Sequence, residues 1–194
     1  MSTTDDHAIS RPAGADGRVL VVYAHPHPGR SVANRVLIDA IRDLAGVTIH
    51  SLYDSYPDFA IDVDAERERL RVAQLVVWHH PLYWYSAPSL LKLWFEEVLE
   101  RGWAYGDGGS ALAGKDCLWV ATTGAQAQAY TPEGRHAYPF EAFVPHIAQI
   151  ARFCGMRWLD PVVVHGAHLI PPQELQSRGQ DYRRRLLDHL QDHG

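Results

Sequence analysis

Four apolar runs constrain this chain more than any other feature: RVLVVYA (18–24), AQLVVWH (73–79), DCLWVATT (116–123) and PVVVHG (161–166). Each is rich in β-branched residues, lacks polar alternation and is bounded by turn formers. A strand with one face in water would alternate, so these strands are covered on both faces, as in a parallel sheet. VTIHSLY (47–53) is a weaker fifth candidate. Helical patterns fill the intervals. From Ser31, apolar residues recur at Ala33, Val36, Leu37, Ala40, Ile41 and Leu44, and Gly46 is the stop. Pro88 suits the first turn of a helix reaching about Arg101. Another helix is expected from about Phe140 to Cys154, and a last one over roughly 173–190.

Strands alternating with helices make an α/β fold with right-handed crossovers. Five strands and about five helices in a chain of 194 residues predict one domain, a flavodoxin-like three-layer sandwich over 18–194. Its five-stranded parallel sheet has the order 2-1-3-4-5. Residues 1–17 are acidic, without an apolar core, and are expected to be a disordered lead-in rather than a signal peptide. A net charge of −5 argues against nucleic acid or an anionic membrane surface as partner. No apolar run approaches the ~18 residues of a membrane span. Cys117 and Cys154 are the two cysteines, expected to be buried and inert. The expected location is therefore the cytoplasm.

In a doubly wound sheet, ligands bind beyond the carboxyl ends of the strands, where the strand order reverses. Three loops meet there. In YAHPHPGRSVAN (23–34), Ser31 is a good N-cap, and the first-turn N–H groups behind it suit an anion. His25 would add a charge-assisted donor. The same stretch also reads as an ordinary strand-to-helix turn. In PLYWYSAP (81–88), Leu82, Tyr83, Trp84 and Tyr85 follow the third strand directly, and three adjacent aromatics cannot all face the core. They suit a planar ligand, a hydrophobic mini-core or an oligomer contact. In TTGAQAQAY (122–130), Gly124 and Ala125 permit close backbone approach to a ring. Taken together the loops describe a flavin mononucleotide site, with phosphate at the first loop and isoalloxazine between the other two.

Longer ordered stretches carry a resemblance over about residues 18–190: YAHPHPGRSVAN, SLYDSYPDFAID, WHHPLYWYSAPSLLKLWFEEVL, GWAYGDGGSALAGK, ATTGA and FCGM (153–156). The chain resembles the flavodoxin-like NAD(P)H:quinone oxidoreductases, the group of DT-diaphorase. It is most similar to the branch of ancillary flavoproteins of glutathione-regulated potassium-efflux antiporters. The resemblance implies a site for FMN, with FAD as the alternative. His25, Ser31, Val32, Ala33 and Asn34 would surround the phosphate, Leu82, Tyr83, Trp84 and Tyr85 would edge the isoalloxazine, and Thr122, Thr123, Gly124 and Ala125 would reach N1/O2. It also implies that Tyr130 and His136 handle the charge of the reduced flavin.

The implied activity is two-electron hydride transfer from NADPH or NADH to a quinone in a ping-pong cycle. The alternative is a regulatory subunit that binds a membrane antiporter at its cytoplasmic face, peripheral to the inner membrane. A homodimer is implied as well. Leu90, Leu91, Leu93, Trp94, Phe95, Val98 and Leu99 cover more than one face of their helix, so it is either unusually buried or packed on a second subunit. The histidines at 25 and 27, 79 and 80, and 165 and 168 lack carboxylate or cysteine partners at ligand spacing, and no metal site is expected.

Overall fold

The computed structural model describes residues 18–192; the expected lead-in over 1–17 lies outside them. The sheet is parallel and runs β2-β1-β3-β4-β5, the order expected. Its strands are β1 (Val19–Tyr23), β2 (Val47–Ser51), β3 (Leu75–Pro81), β4 (Asp116–Thr122), β5 (Arg157–Trp158) and β6 (Val162–Val164). β1, β3 and β4 are buried along their whole length, which is why their sequences do not alternate. The fifth position of the sheet is divided between β5 and β6. Both pair with β4, but Arg157 stands opposite Asp116 and Val162 opposite Val120, so the strand carries one extra residue between them. Pro161 lies in the gap, where it gives up no ladder N–H.

Helices α1 (Val32–Asp39) and α6 (Pro172–Asp192) cover one face of the sheet. Leu37, Tyr182 and Leu186 meet Val19, Val21 and Val77 there. On the other face lie α2 (Leu52–Ser55), α3 (Val63–Val72), α4 (Ser89–Val98) and α5 (Pro145–Phe153). Trp78, Trp94 and Trp119 are fully buried in that second layer. Each fully buried apolar side chain contributes about 1.5–3 kcal/mol, so the two layers supply most of the driving force.

The observed helices depart from the expected ones in three places. α1 ends at Asp39 and gives way to turns before Gly46. The helix expected from Phe140 is a 3₁₀ turn over Phe140–Phe143 followed by α5 from Pro145, because the proline takes a first-turn position and restarts the helix. α3 has no apolar stripe to announce it: in VDAERERLRV only Glu66 and Leu70 are buried. It is held instead by its cap, where Asp62 Oδ1 accepts from Ala65 N–H at 3.0 Å, and by acids in its first turn and arginines in its last.

α4 resolves the choice posed by its apolar surplus. Leu90, Leu91, Trp94, Phe95, Val98 and Leu99 are all buried within this chain, and Leu93 packs partly against the same core. The apolar pattern of this helix therefore carries no case for a second subunit. Cys117 and Cys154 are buried free thiols, their pKa values raised by burial.

Candidate functional site

The three loops gather on the carboxyl edge of the sheet. In the first, a 3₁₀ turn (Pro28–Arg30) leads into Ser31, whose extended backbone and Oγ cap α1 by accepting from Asn34 N–H at 3.3 Å. The N–H groups of Val32 and Ala33 donate to no acceptor among the described residues, as the helix start requires. His25 Nδ1 accepts from His27 N–H at 2.9 Å, which leaves its Nε2–H free to donate. Burial, with His27 beside it, lowers its pKa, so His25 is a neutral donor rather than the charge-assisted one expected. The asparagine that follows faces inward: Asn34 is buried, and its Nδ2 donates to Ser31 Oγ at 2.8 Å and to Thr122 Oγ1 at 3.0 Å.

The second loop is a two-residue hairpin. Tyr83 and Ser86 exchange both backbone hydrogen bonds, at 3.1 and 3.0 Å. The tip residues, Trp84 (φ 49°) and Tyr85 (φ 63°), are both left-handed, the geometry of a type I′ turn, which normally calls for Asn-Gly. An aromatic pair there is strained, and the tip is open to solvent: Trp84 is 94% exposed. Leu82 packs partly on the core and donates its N–H to Thr122 O at 2.8 Å. Trp84 and Tyr85 keep their own N–H groups free among the described residues. His25 and Tyr83 meet edge to face at 6.3 Å, joining the first loop to the second.

The third loop is pinned from beneath. Thr123 N–H donates to Val164 O, and Ala125 O accepts from Gly166 N–H and from Thr123 Oγ1. Gly124 and Ala125 present N–H groups with no acceptor among the described residues. A Cβ on Gly124 would meet only His168, at 3.8 Å. Packing inside the chain therefore does not demand a glycine there.

Tyr130 and His136 are brought together, their rings stacked at 4.4 Å. Gly134 makes this possible, since a Cβ on it would stand 2.5 Å from Ala129 O. His136 Nδ1 shares a 3.2 Å hydrogen bond with the Tyr85 hydroxyl, and its Nε2 is buried without a protein partner among the described residues. Tyr130 sits beneath, against Phe140, Phe143 and His165, and burial raises its pKa, so it stays a phenol donor.

Several residues of this site escape a reading by loops. His79 and His80 end β3, fully buried. His80 is satisfied on both nitrogens, accepting from Trp119 Nε1 at 2.8 Å and facing Pro81 O at 3.0 Å. His79 Nε2 lies 3.1 Å from Asn34 Oδ1. His165 Nδ1 lies 3.0 Å from Thr123 Oγ1. The signal was present at 79 and 80: a polar side chain inside a fully apolar strand must find a hydrogen-bond partner.

The donor set fits a flavin phosphate ester. The Val32 and Ala33 amides, His25 and the Ser31 hydroxyl could hold an anion at one end, and the Gly124 and Ala125 amides could meet the carbonyl edge of a ring at the other. Aromatic residues 83–85 stand alongside. Among the described residues no helix is long and apolar enough to cross a membrane.

Comparison with known proteins gives the following. A family profile described as flavodoxin-like fold matches residues 17–190. The glutathione-regulated potassium-efflux system ancillary protein KefF of Enterobacter sp. (strain 638) is 44% identical over 175 residues, 90% of this chain and 98% of that protein. KefF of Citrobacter koseri is 45% identical over 170 residues, 87% and 95% respectively. The structure of general stress protein 14 of Treponema denticola, in complex with FMN, has a TM-score of 0.82 and 33% identity, covering 89% of this chain and 99% of that one. An NADPH-quinone reductase from P. pentosaceus has a TM-score of 0.79 and 27% identity, covering 87% and 96%.

Proposed function

We propose a function from one premise: the chain belongs to the flavodoxin-like fold family. It is a flavin-dependent NAD(P)H oxidoreductase that binds FMN and reduces quinones. The observation that carries this reading is the convergence of N–H donors without acceptors among the described residues, from three loops, at Val32 and Ala33, Trp84 and Tyr85, and Gly124 and Ala125, on one sheet edge. The likeness to an FMN-bound protein and to an NADPH-quinone reductase supports it.

Within the site each group has a distinct task. His25, the Ser31 hydroxyl and the Val32 and Ala33 amides hold the phosphate. Leu82, Tyr83, Trp84 and Tyr85 wall the ring, and Thr122, Thr123, Gly124 and Ala125 approach its N1/O2 edge. When bound, FMN supplies the hydride chemistry, two electrons taken from NADPH or NADH and passed to a quinone in alternating half-reactions. The fixed Gly124 and Ala125 amides would meet that edge as donors that need no reorganisation to stabilise negative charge there. Tyr130 and His136 handle the accompanying proton: Tyr130 is kept a phenol donor by burial, and the stacked His136 imidazole offers a ring nitrogen that can donate or accept. The unpartnered His136 Nε2 is a hydrogen-bonding position left for a ligand. The test is the visible spectrum of the purified protein with added FMN. The expected result is flavin bands that bleach with NADPH anaerobically and return with a quinone; failure to take up FMN overturns the reading.

A second reading is favoured by the two KefF relatives, which match almost end to end. In it the chain is a homodimeric ancillary subunit of a potassium-efflux antiporter, held at the cytoplasmic face of the inner membrane by that partner. Deleting the gene should then slow glutathione-gated potassium efflux, and efflux that is unchanged would remove this reading without touching the first.

A further inference from the structure

The phosphate loop is backed by a chain of polar groups drawn from α1 with its N-cap, β3 and β4, and the direction of every hydrogen bond in it follows from one imidazole. Asn34 of α1 stands between His79 of β3 on one side and Ser31 and Thr122 on the other. All but Ser31 are buried. Two polarities are possible for such a chain. If His79 carries its proton on Nε2, it donates to Asn34 Oδ1, and the Asn34 amide nitrogen donates onward to both hydroxyl oxygens. If the proton is on Nδ1, the amide turns over. Ser31 and Thr122 would then donate inward to Asn34 Oδ1.

The surroundings of His79 choose between them. Its Nδ1 is buried with no partner among the described residues, beside the ring of Tyr182 at 5.7 Å. A proton on Nδ1 would bury an N–H donor with no acceptor, which costs more than leaving a bare nitrogen there. Burial also keeps the ring neutral, with its pKa pushed down to about 3. The proton is therefore on Nε2. The consequence falls on Ser31. A hydroxyl oxygen has two acceptor sites and one hydrogen. Both acceptor sites are occupied from within, by Asn34 N–H at 3.3 Å and Asn34 Nδ2–H at 2.8 Å. Its hydrogen has nowhere to point but outward, toward the anion position.

We infer that His79, through its Nε2–H and the Asn34 amide, is the positioning residue that turns the Ser31 hydroxyl into an outward donor for a phosphate monoester. His79 touches no ligand itself. The inference deepens the FMN reading and rests on it.

The test separates phosphate from ring by titrating FMN and riboflavin into the wild type, H79L, H79Q and S31A. The expected result is that H79L and S31A each weaken FMN by about tenfold to a hundredfold, the range for a hydrogen bond to a charged group, and leave riboflavin unchanged. The H79L/S31A double variant should be no worse than S31A. H79Q should bind nearly as the wild type does, because the glutamine amide nitrogen can replace Nε2–H. In the unaltered protein, the ¹⁵N spectrum of histidine should show His79 protonated on Nε2 and bare on Nδ1 through neutral pH. A wild type preferring FMN, with H79L retaining that preference in full, overturns the inference, as does a His79 proton on Nδ1. Should H79L not fold, the ¹⁵N spectrum and H79Q decide. A wild type that binds neither flavin is a different failure: it removes the flavin reading, and the inference falls with it.

Discussion

Two of the buried polar clusters, one around Glu66 and one around Asn34, are built on opposite plans. On the α3 side, Glu66 is wholly buried and closed. Its Oε1 accepts from the Tyr56 hydroxyl at 2.6 Å and Arg69 Nη1 at 2.9 Å, and its Oε2 from Trp94 Nε1 at 2.9 Å. His50 Nε2 lies 2.7 Å from the same Oε1. Burial alone would raise the carboxyl pKa; the partners, His50 first, outweigh it and lower it. At the carboxyl edge, the His79–Asn34–Ser31–Thr122 chain is neutral and open, with a donor left over at its outer end. A closed cluster can only support the fold. An open one has something to give to a ligand.

Breaking the closed cluster should produce the largest effect. Glu66→Ala leaves Tyr56, Trp94 and Arg69 without their acceptor, and loss of one member of a buried charged group costs about 3–5 kcal/mol. Urea denaturation should show that loss, while the FMN affinity of the folded fraction stays at the wild-type value. A changed affinity would mean that the two clusters are coupled.

Acid should separate the clusters in sequence. The folded-state pKa values of His79 and His80 are pushed down to about 3 and about 4, chiefly by burial, against ~6.5 for an unfolded histidine. Below about pH 6.5 the unfolded chain takes up protons that the folded chain refuses. Stability should then fall from about pH 6.5 to about pH 4, with a slope of up to about 1.4 kcal/mol per unit for each histidine. Glu66, whose folded pKa is lowered too, acts in a more acidic window, because an unfolded carboxyl titrates well below an imidazole. Its contribution is complete above the unfolded carboxyl value of ~4.3 and is lost only as pH falls further, through the folded value. Urea midpoints across this range should show His80→Gln flattening the upper limb and Glu66→Gln the lower; a single featureless decline in both variants would contradict the assignment.

At the rim of the open cluster the effects should be smaller and confined to function. Gly134→Ala puts a Cβ 2.5 Å from Ala129 O and displaces His136 from Tyr130. Quinone turnover should drop by about tenfold or more, as small misplacements do, while FMN affinity is unchanged. Smallest of all, Trp84→Gly relieves one left-handed residue of the hairpin tip and should stabilise the fold by about 0.5–1 kcal/mol. A lower midpoint in urea would show that the exposed indole is held by contacts that outweigh its strain.

Much of this architecture was legible in the residues because its signals are local. Unalternating β-branched runs marked the buried strands, a serine before an apolar period marked the start of α1, and three aromatics after a strand marked an exposed wall. Reading failed where the stabilising partner is remote or the pattern is silent. α3 is a charged helix with little apolar face, held by its cap and by the burial of a glutamate. The surplus apolar face of α4 could equally have met a second chain, and only the packing of this one settles where it goes.

The sequence by itself determined which runs are strands and which serine caps α1, because each is a pattern of chain neighbours within a few residues. The alternation of strands with helices then implied the doubly wound order and its shared loop edge. The tertiary structure alone decided that Asn34 turns inward to a threonine 88 positions away, that His79 stands 45 positions from its acceptor and that Gly134 folds His136 back onto Tyr130. Hydrogen-bond direction and burial are properties of assembled surroundings, and no stretch of chain carries those surroundings before it folds.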